Sequence, residues 1–301
     1  MVSNDRIEND IRQLAVSPRN SKTNPVEHAD AIDWIADEFE EIGLGVRRQT
    51  FDIPQQTPER RGTNVVGELN AENTDNPPLL IGAHFDTVPG SPGADDNASG
   101  VAAILECARV LVERSSERRM TFIAFDAEEM QPPVEGLHGS TCYAESLQSG
   151  TYPSAAIIFE SIGFRSLSLK QRLPGSFRFL FRRAYNALKR QSYEANSLLI
   201  LSKRRGRNIS RQLESSAARI DIQLPILPLE VPWWMPLVRN LRRSDHAPFW
   251  SRGIPAVMIS DTANFRNPNY HTPSDTADTL DFELVFKAVQ TVIDAIERGA
   301  L

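Results

Sequence analysis

The chain has 301 residues and a formal net charge of −6 at pH 7, with 41% hydrophobic and 24% charged residues. These totals exclude a disordered chain and suit a single folded domain over residues 1–301. The negative charge argues against nucleic acid as the main partner, because phosphate binding needs a positive field. The acidic start "MVSNDRIEND" is unlike a signal peptide, and no apolar run has the length of a membrane span. We therefore expect a cytoplasmic protein with no membrane partner.

The first half of the chain alternates helical and strand patterns. "HADAIDWIADEFEEIG" has helical spacing, with His28 interpreted as surface, and the strand candidates "VRRQTFDI" and "NVVGEL" follow it. "PPLLIGAHFD" is a continuous apolar run that stops at His84, as a buried parallel strand does. A helix beginning near Ala98, the strand "MTFIAF", the helix "GLHGSTCYAESL" and the strand "SAAIIF" come next. This alternation predicts a doubly wound α/β fold.

The second half is less regular. Residues at about 165–240 predict an insert with a helix, a strand and loops, in which the basic run "SKRRGRN" is interpreted as a solvated loop or strand edge. Trp233 and Trp234 are candidates for a pocket wall or for packing. "IPAVMIS" restores a strand, and "DFELVFKAVQTVIDAIERG" predicts a final helix. Cys107 and Cys142 fall in helical patterns and predict two buried free thiols.

Acidic and imidazole side chains follow most of the predicted parallel strands. Because the carboxyl ends of such strands share one edge of a sheet, these side chains are expected to converge. The candidates are His84, Asp86, Asp95, Asp96, Asp126, Glu128, Glu129, Glu160 and His271. So many carboxylates would repel one another unless cations neutralise them. Imidazole and carboxylate without thiolate suit zinc or another first-row divalent metal. In the pair Glu128–Glu129, one carboxylate can bind metal while the other acts as general base.

Several motifs occur together across most of the chain. They are "AHFDT", "GADDNASG", "DAEE", "GLHGS", "SDHAPFW" and "NYHTPSDTADTLD". In this order they resemble the zinc aminopeptidases of family twenty-eight of the metallopeptidases, which also includes glutaminyl cyclases. The resemblance implies a mixed, mostly parallel central sheet flanked by helices on both faces, the zinc-exopeptidase (phosphorylase/hydrolase-like) fold. It also implies a zinc-dependent exopeptidase of aminopeptidase type, acting on peptides or amino-acid derivatives.

The resemblance assigns roles position by position. His84 and Glu160 would bind one zinc ion, Glu129 and His271 the other, and Asp96 would bridge the two. Glu128 would be the general base. Asp86 would orient the imidazole of His84, and Asp245 would lie next to the metal ligands without binding metal itself. The Asp96–Asn97 bond would be a cis peptide.

The chain departs from the family pattern at two places, and two alternatives to an aminopeptidase are kept separately. Glu160 stands where most relatives carry aspartate, and the segment "MQPPVE" at 130–135 is longer than the usual turn. The alternatives are a glutaminyl-cyclase-like acyltransferase with one zinc ion and a non-catalytic binding relative of the same fold. Side-chain specificity and oligomeric state are left open by the sequence.

Overall fold

Strands and helices alternate along the chain in the computed structural model, which describes residues 1–54, 60–70, 76–129, 136–148, 150–171, 177–221, 224–232, 241–299 and 301. The strands are β1 Gly45–Ile53, β2 Arg60–Leu69, β3 Leu79–His84, β4 Met120–Phe125, β5 Ala155–Glu160, β6 Ser166–Lys170, β7 Glu194–Ala195, β8 Leu198–Ser202, β9 Ile226–Glu230 and β10 Ala256–Ser260. The α-helices are α1 Asn4–Leu14, α2 Pro25–Ile42, α3 Ser99–Glu113, α4 His138–Ser146, α5 Phe177–Leu180, α6 Arg182–Arg190, α7 Arg207–Ile220, α8 His246–Ser251 and α9 Phe282–Glu297.

One eight-stranded sheet organises the fold, in the order β1-β2-β4-β3-β5-β10-β8-β9. Its central strands β4, β3, β5 and β10 are all parallel. Antiparallel pairs join β1 to β2, β2 to β4, and β10 to β8, while β9 runs parallel to β8. The predicted mixed, mostly parallel sheet is therefore confirmed, and the carboxyl ends of its four central strands lie along one edge.

Helices cover both faces of this sheet, and each face has its own apolar core. On one face, alternate residues of β3, such as Leu79 and Ile81, pack with residues of α1, α2, α3, α7 and α9. On the other face, Leu80 packs with residues of α4, α6 and α8. All six residues of β3 are buried, as expected for a strand covered on both sides.

The region at 165–240 is more ordered than expected, because β8 and β9 extend the central sheet and α6 and α7 pack beside them. Trp233, Trp234 and the segment 130–135 lie outside the described residues. Cys107 and Cys142 are free, the first buried and the second partly exposed. Within the part of the chain that the structure describes, no helix has the length and apolar character needed to span a bilayer.

Candidate metal centre

The central parallel strands deliver acidic and imidazole groups to one edge of the sheet. His84 and Glu160 are the last residues of β3 and β5, two strands that pair with each other. Glu128 and Glu129 follow β4, three and four residues after the strand ends at Phe125. Two further groups arrive from elsewhere in the chain: Asp96 from the turn before α3 and His271 from the loop between β10 and α9.

These side chains form two adjacent groups: one contains His84, Glu128 and Glu160, the other Asp96, Glu129 and His271. Asp96, a member of the second group, also contacts the first group. Its Oδ1 atom is 3.2 Å from Nε2 of His84, and its Oδ2 atom is 3.0 Å from Nε2 of His271. Glu160 Oε2 is 3.5 Å from His84 Nε2, and Glu129 Oε1 is 2.9 Å from His271 Nε2. One carboxylate thus faces both imidazoles, with a further carboxylate beside each.

The donor set fits metal binding. Nε2 of His84, Nε2 of His271 and both carboxylate oxygens of Asp96 are buried and have no hydrogen-bond partner among the described residues. Buried polar atoms are normally paired, so these four atoms are arranged for a ligand. Imidazole nitrogen with carboxylate oxygen is a set of ligands that zinc prefers.

The electrostatics of the site also favour a bound cation. Burial, together with neighbouring negative charges, raises the pKa of Glu128 well above its usual range. Burial and the charge of Asp96 raise the pKa of Glu129 to about 8. Burial alone would also raise the pKa of Asp96, but the adjacent imidazoles of His271 and His84 hold that pKa far below its usual range. A divalent cation would favour the charged form of all three carboxylates.

Asp86 supports the site through backbone groups more than through His84. Its Oδ1 and Oδ2 atoms accept hydrogen bonds from the backbone N–H groups of Glu128 and Glu129, at 2.9 and 3.2 Å. Nδ1 of His84 lies 3.2 Å from the backbone oxygen of Asp86 and 3.6 Å from its carboxylate. Asp86 therefore connects the end of β3 to the segment that follows β4.

Glu160, the residue that differs from the common family pattern, is held by Ser244. Oγ of Ser244 donates to Oε2 of Glu160 at 2.7 Å, and both side chains are buried. The neighbouring Asp245 is fully buried, and burial raises the pKa of its carboxyl to about 7 even though the charge of His84 opposes that shift. Ser244, the first residue of the motif "SDHAPFW", thus positions a candidate ligand.

Asp275 and Asp95 fix the turn that carries Asp96. The carboxylate of Asp275 accepts hydrogen bonds from the backbone N–H groups of Asp95 and Asp96, at 2.9 and 3.2 Å. Asp95 is buried and accepts hydrogen bonds from Gly163 N–H and from the Asn267 side chain. The Asp96–Asn97 bond is cis, as expected. Asp95, one of the candidates from the sequence, belongs to neither ligand group and is buried.

The interpretation of His28 as helix surface is wrong. His28 is 6% exposed, and its Nε2 atom lies 2.8 Å from Oδ1 of Asp126. Asp126, which had no assignment, also accepts hydrogen bonds from the backbone N–H groups of Thr63 and Ala127. This pair is structural: it ties α2 to the end of β4.

Sequence reasoning missed two residues at the mouth of the site. The ring of Tyr270 stacks on the imidazole of His271, with centroids 3.8 Å apart and planes inclined by 15°. Nη2 of Arg243 donates to the Tyr270 hydroxyl at 3.3 Å. The available signal was position alone, since Tyr270 lies inside the motif "NYHTPSDTADTLD" and Arg243 directly precedes "SDHAPFW".

The family model described as peptidase family M28 matches residues 64–203 and 236–296, which contain all of these site residues. The chain belongs to peptidase family M28. The predicted family and enzyme class are thus confirmed. All the candidate ligands of this M28 peptidase lie inside the matched segments.

Individual relatives support the same placement. This M28 peptidase is 30% identical to protein YfbL of Escherichia coli over 97% of its own length and 87% of YfbL. It is 29% identical to aminopeptidase YwaD of Bacillus subtilis over 77% of its own length, but the match spans only 44% of YwaD. The structure of BSAP, a zinc aminopeptidase from Bacillus subtilis, superposes with a TM-score of 0.76 at 18% identity, covering 99% of this chain and 95% of BSAP. At that identity the superposition shows the shared fold.

Proposed function

We propose that residues 1–301 form one zinc-dependent exopeptidase domain that acts as an aminopeptidase, removing the N-terminal residue of peptides. The observation that carries this proposal is the position of Asp96, whose two oxygens face two different histidines and have no hydrogen-bond partner among the described residues. His84 and Glu160 would hold one zinc ion, His271 and Glu129 the other, with Asp96 shared.

The roles of the protein groups follow from their positions. When bound, zinc would polarise the scissile carbonyl and make a nearby water molecule acidic enough to attack at neutral pH. Glu128 lies in the ligand cluster but is not needed to complete either set, so its carboxylate is free to take the proton from that water and pass it to the leaving amine. Asp86 accepts hydrogen bonds from the backbone N–H groups of Glu128 and Glu129, and so fixes the positions of these two residues relative to each other.

The test compares zinc-loaded and metal-free protein on aminoacyl-nitroanilides. Activity should disappear with a chelator and return with zinc. Glu128→Gln should lower kcat by about a hundredfold or more, because general acid–base catalysis contributes roughly 10²–10⁴. Glu145→Gln, on the exposed side of α4, is the matched control and should leave kcat unchanged. An inactive zinc-loaded protein, or full activity in Glu128→Gln, would refute the proposal.

Metal stoichiometry separates the proposal from the acyltransferase alternative. We expect two zinc equivalents per chain by elemental analysis, and one equivalent in Glu160→Ala. A single equivalent in the wild-type protein would instead favour the one-zinc alternative, and a protein that binds no zinc would favour the non-catalytic alternative.

A further inference from the structure

Arg243 is exposed and lies next to residues that contact each of the two ligand groups. Its chain neighbour Ser244 donates to Glu160 in one group. Its guanidinium donates to the Tyr270 hydroxyl, and the Tyr270 ring stacks on His271 of the other group. The position of Arg243 is therefore set from both sides of the candidate metal centre.

The charge of Arg243 is available to a ligand. The side chain is exposed, and it forms no ion pair with any residue that the structure describes. A guanidinium carries five N–H donors, and the hydrogen bond to Tyr270 occupies one of them. The adjacent Arg242 differs, because it donates to Ser251 Oγ at 2.7 Å on α8. The two neighbouring arginines thus have different partners, and only Arg243 contacts a residue stacked on a candidate ligand.

The chemistry that suits this position is a carboxylate. The planar fork of a guanidinium matches a carboxylate in a bidentate arrangement. A peptide whose first carbonyl lies at the ligand cluster carries its next groups outward by about 3.8 Å per residue. A carboxylate on the second residue is either the C-terminal carboxylate of a dipeptide or an acidic side chain, and it is the first such group beyond the scissile carbonyl.

We propose that Arg243 binds a carboxylate on the second residue of the substrate, so that this peptidase prefers dipeptides or peptides with an acidic second residue. This inference rests on the proposed aminopeptidase function and names its substrate class. Arg243 is a specificity residue in this proposal, and the reaction itself remains with the ligand cluster and Glu128.

The experiment measures kcat/KM of the zinc-loaded protein on matched pairs. One pair is leucyl-glycine and its C-terminal amide; the other is the amides of leucyl-glutamate and leucyl-glutamine. We expect the wild-type protein to prefer the charged member of at least one pair by roughly fivefold to tenfold, mainly through KM, as for a charged hydrogen bond at a partly exposed site. The preferred pair identifies the source of the carboxylate.

Two variants make the test specific. Arg243→Gln should reduce the preference to about one, and Arg242→Gln should retain it. The proposal is overturned if the wild-type protein prefers neither charged member, or if the preference survives in Arg243→Gln. If no peptide or nitroanilide is cleaved, the proposed function fails instead. Calorimetric Kd values for leucyl-glycine and its amide on zinc-loaded Glu128→Gln, with and without Arg243→Gln, still decide the role of Arg243.

Discussion

Replacing Arg19 with methionine should destabilise the protein by several kcal/mol. The side chain is 2% exposed. It donates to the backbone oxygens of Phe85, Leu14, Pro92 and Gly93 at 2.6–3.0 Å. Burial lowers the pKa of Arg19 to about 10, so the side chain remains charged at neutral pH. The replacement would leave four carbonyl oxygens without this donor.

The magnitude follows from two opposing effects. The Gly93 carbonyl keeps the backbone N–H of Ala98 as a donor, at 3.0 Å. The other three carbonyls lose their donor at a cost of about 1–3 kcal/mol each, which gives roughly 3–9 kcal/mol. Removing a buried cation recovers several kcal/mol of desolvation. We therefore expect a net loss of about 3 kcal/mol, which corresponds to a fall in Tm of roughly 5 °C for a chain of 301 residues.

The assay is thermal and urea unfolding of the metal-free protein, so that metal binding does not contribute to the apparent stability. The same variant should also bind zinc more weakly, because Phe85 adjoins His84 and Gly93 precedes the turn that carries Asp96. Arg19→Lys should lose less stability, and the exposed Arg190→Met should change it by less than about 0.5 kcal/mol. A change below 1 kcal/mol in Arg19→Met, with zinc affinity intact, would refute the reasoning.

Two further predictions concern hydrogen bonds near the site. Ser244→Ala should weaken zinc binding by about tenfold to a hundredfold in chelator competition, because it removes the donor that holds Glu160; Ser251→Ala is the control, and equal affinities would contradict this role. For His28, burial alone would lower the pKa, but the charge of Asp126 and the hydrogen bond to it raise the pKa overall. The interaction of His28 with Asp126 should therefore stabilise the protein fully below about pH 6.5, the ordinary histidine pKa. This stabilisation should decline as the pH rises through the pKa of His28 in the folded protein. Urea unfolding of the wild type and of His28→Asn at several pH values measures this stabilisation as the difference in their free energies of unfolding. A difference that grows with pH would contradict the prediction.

The strands that could be predicted from the sequence are those with a clear local pattern of apolar residues. The runs that became β3, β4, β5 and β10 are continuous and apolar because both faces of each strand are covered, and a polar group marks where each run ends. Residues 165–240 were expected to hold one strand, but they contain β6, β7, β8 and β9. In β9, Pro228 interrupts the apolar pattern, which the structure accommodates at the edge of the sheet.

His28 shows how a correct periodicity can still be misinterpreted. The buried residues of α2 include His28, Ala31, Ile35 and Phe39, so His28 lies on the apolar face of the helix. The polarity of histidine led to a surface assignment, whereas the contact that accounts for its burial is with Asp126, 98 residues away.

The supporting contacts of the site could not be predicted for the same reason. Ser244 and Glu160 are separated by 84 residues, and Asp275 and Asp95 by 180. Such pairs depend on which loops the tertiary packing brings together. Motif spacing identifies the candidate ligands but not the residues that hold them in place.

Asp275 has a consequence for how the two halves of the metal centre work together. It follows His271 by four residues, and its carboxylate holds the backbone on which the shared Asp96 is mounted. The loop that bears His271 and the turn that bears Asp96 are therefore held together by Asp275. In the proposed centre, the position of Asp96 relative to His271 would thus be set by the chain itself and not by the zinc ions.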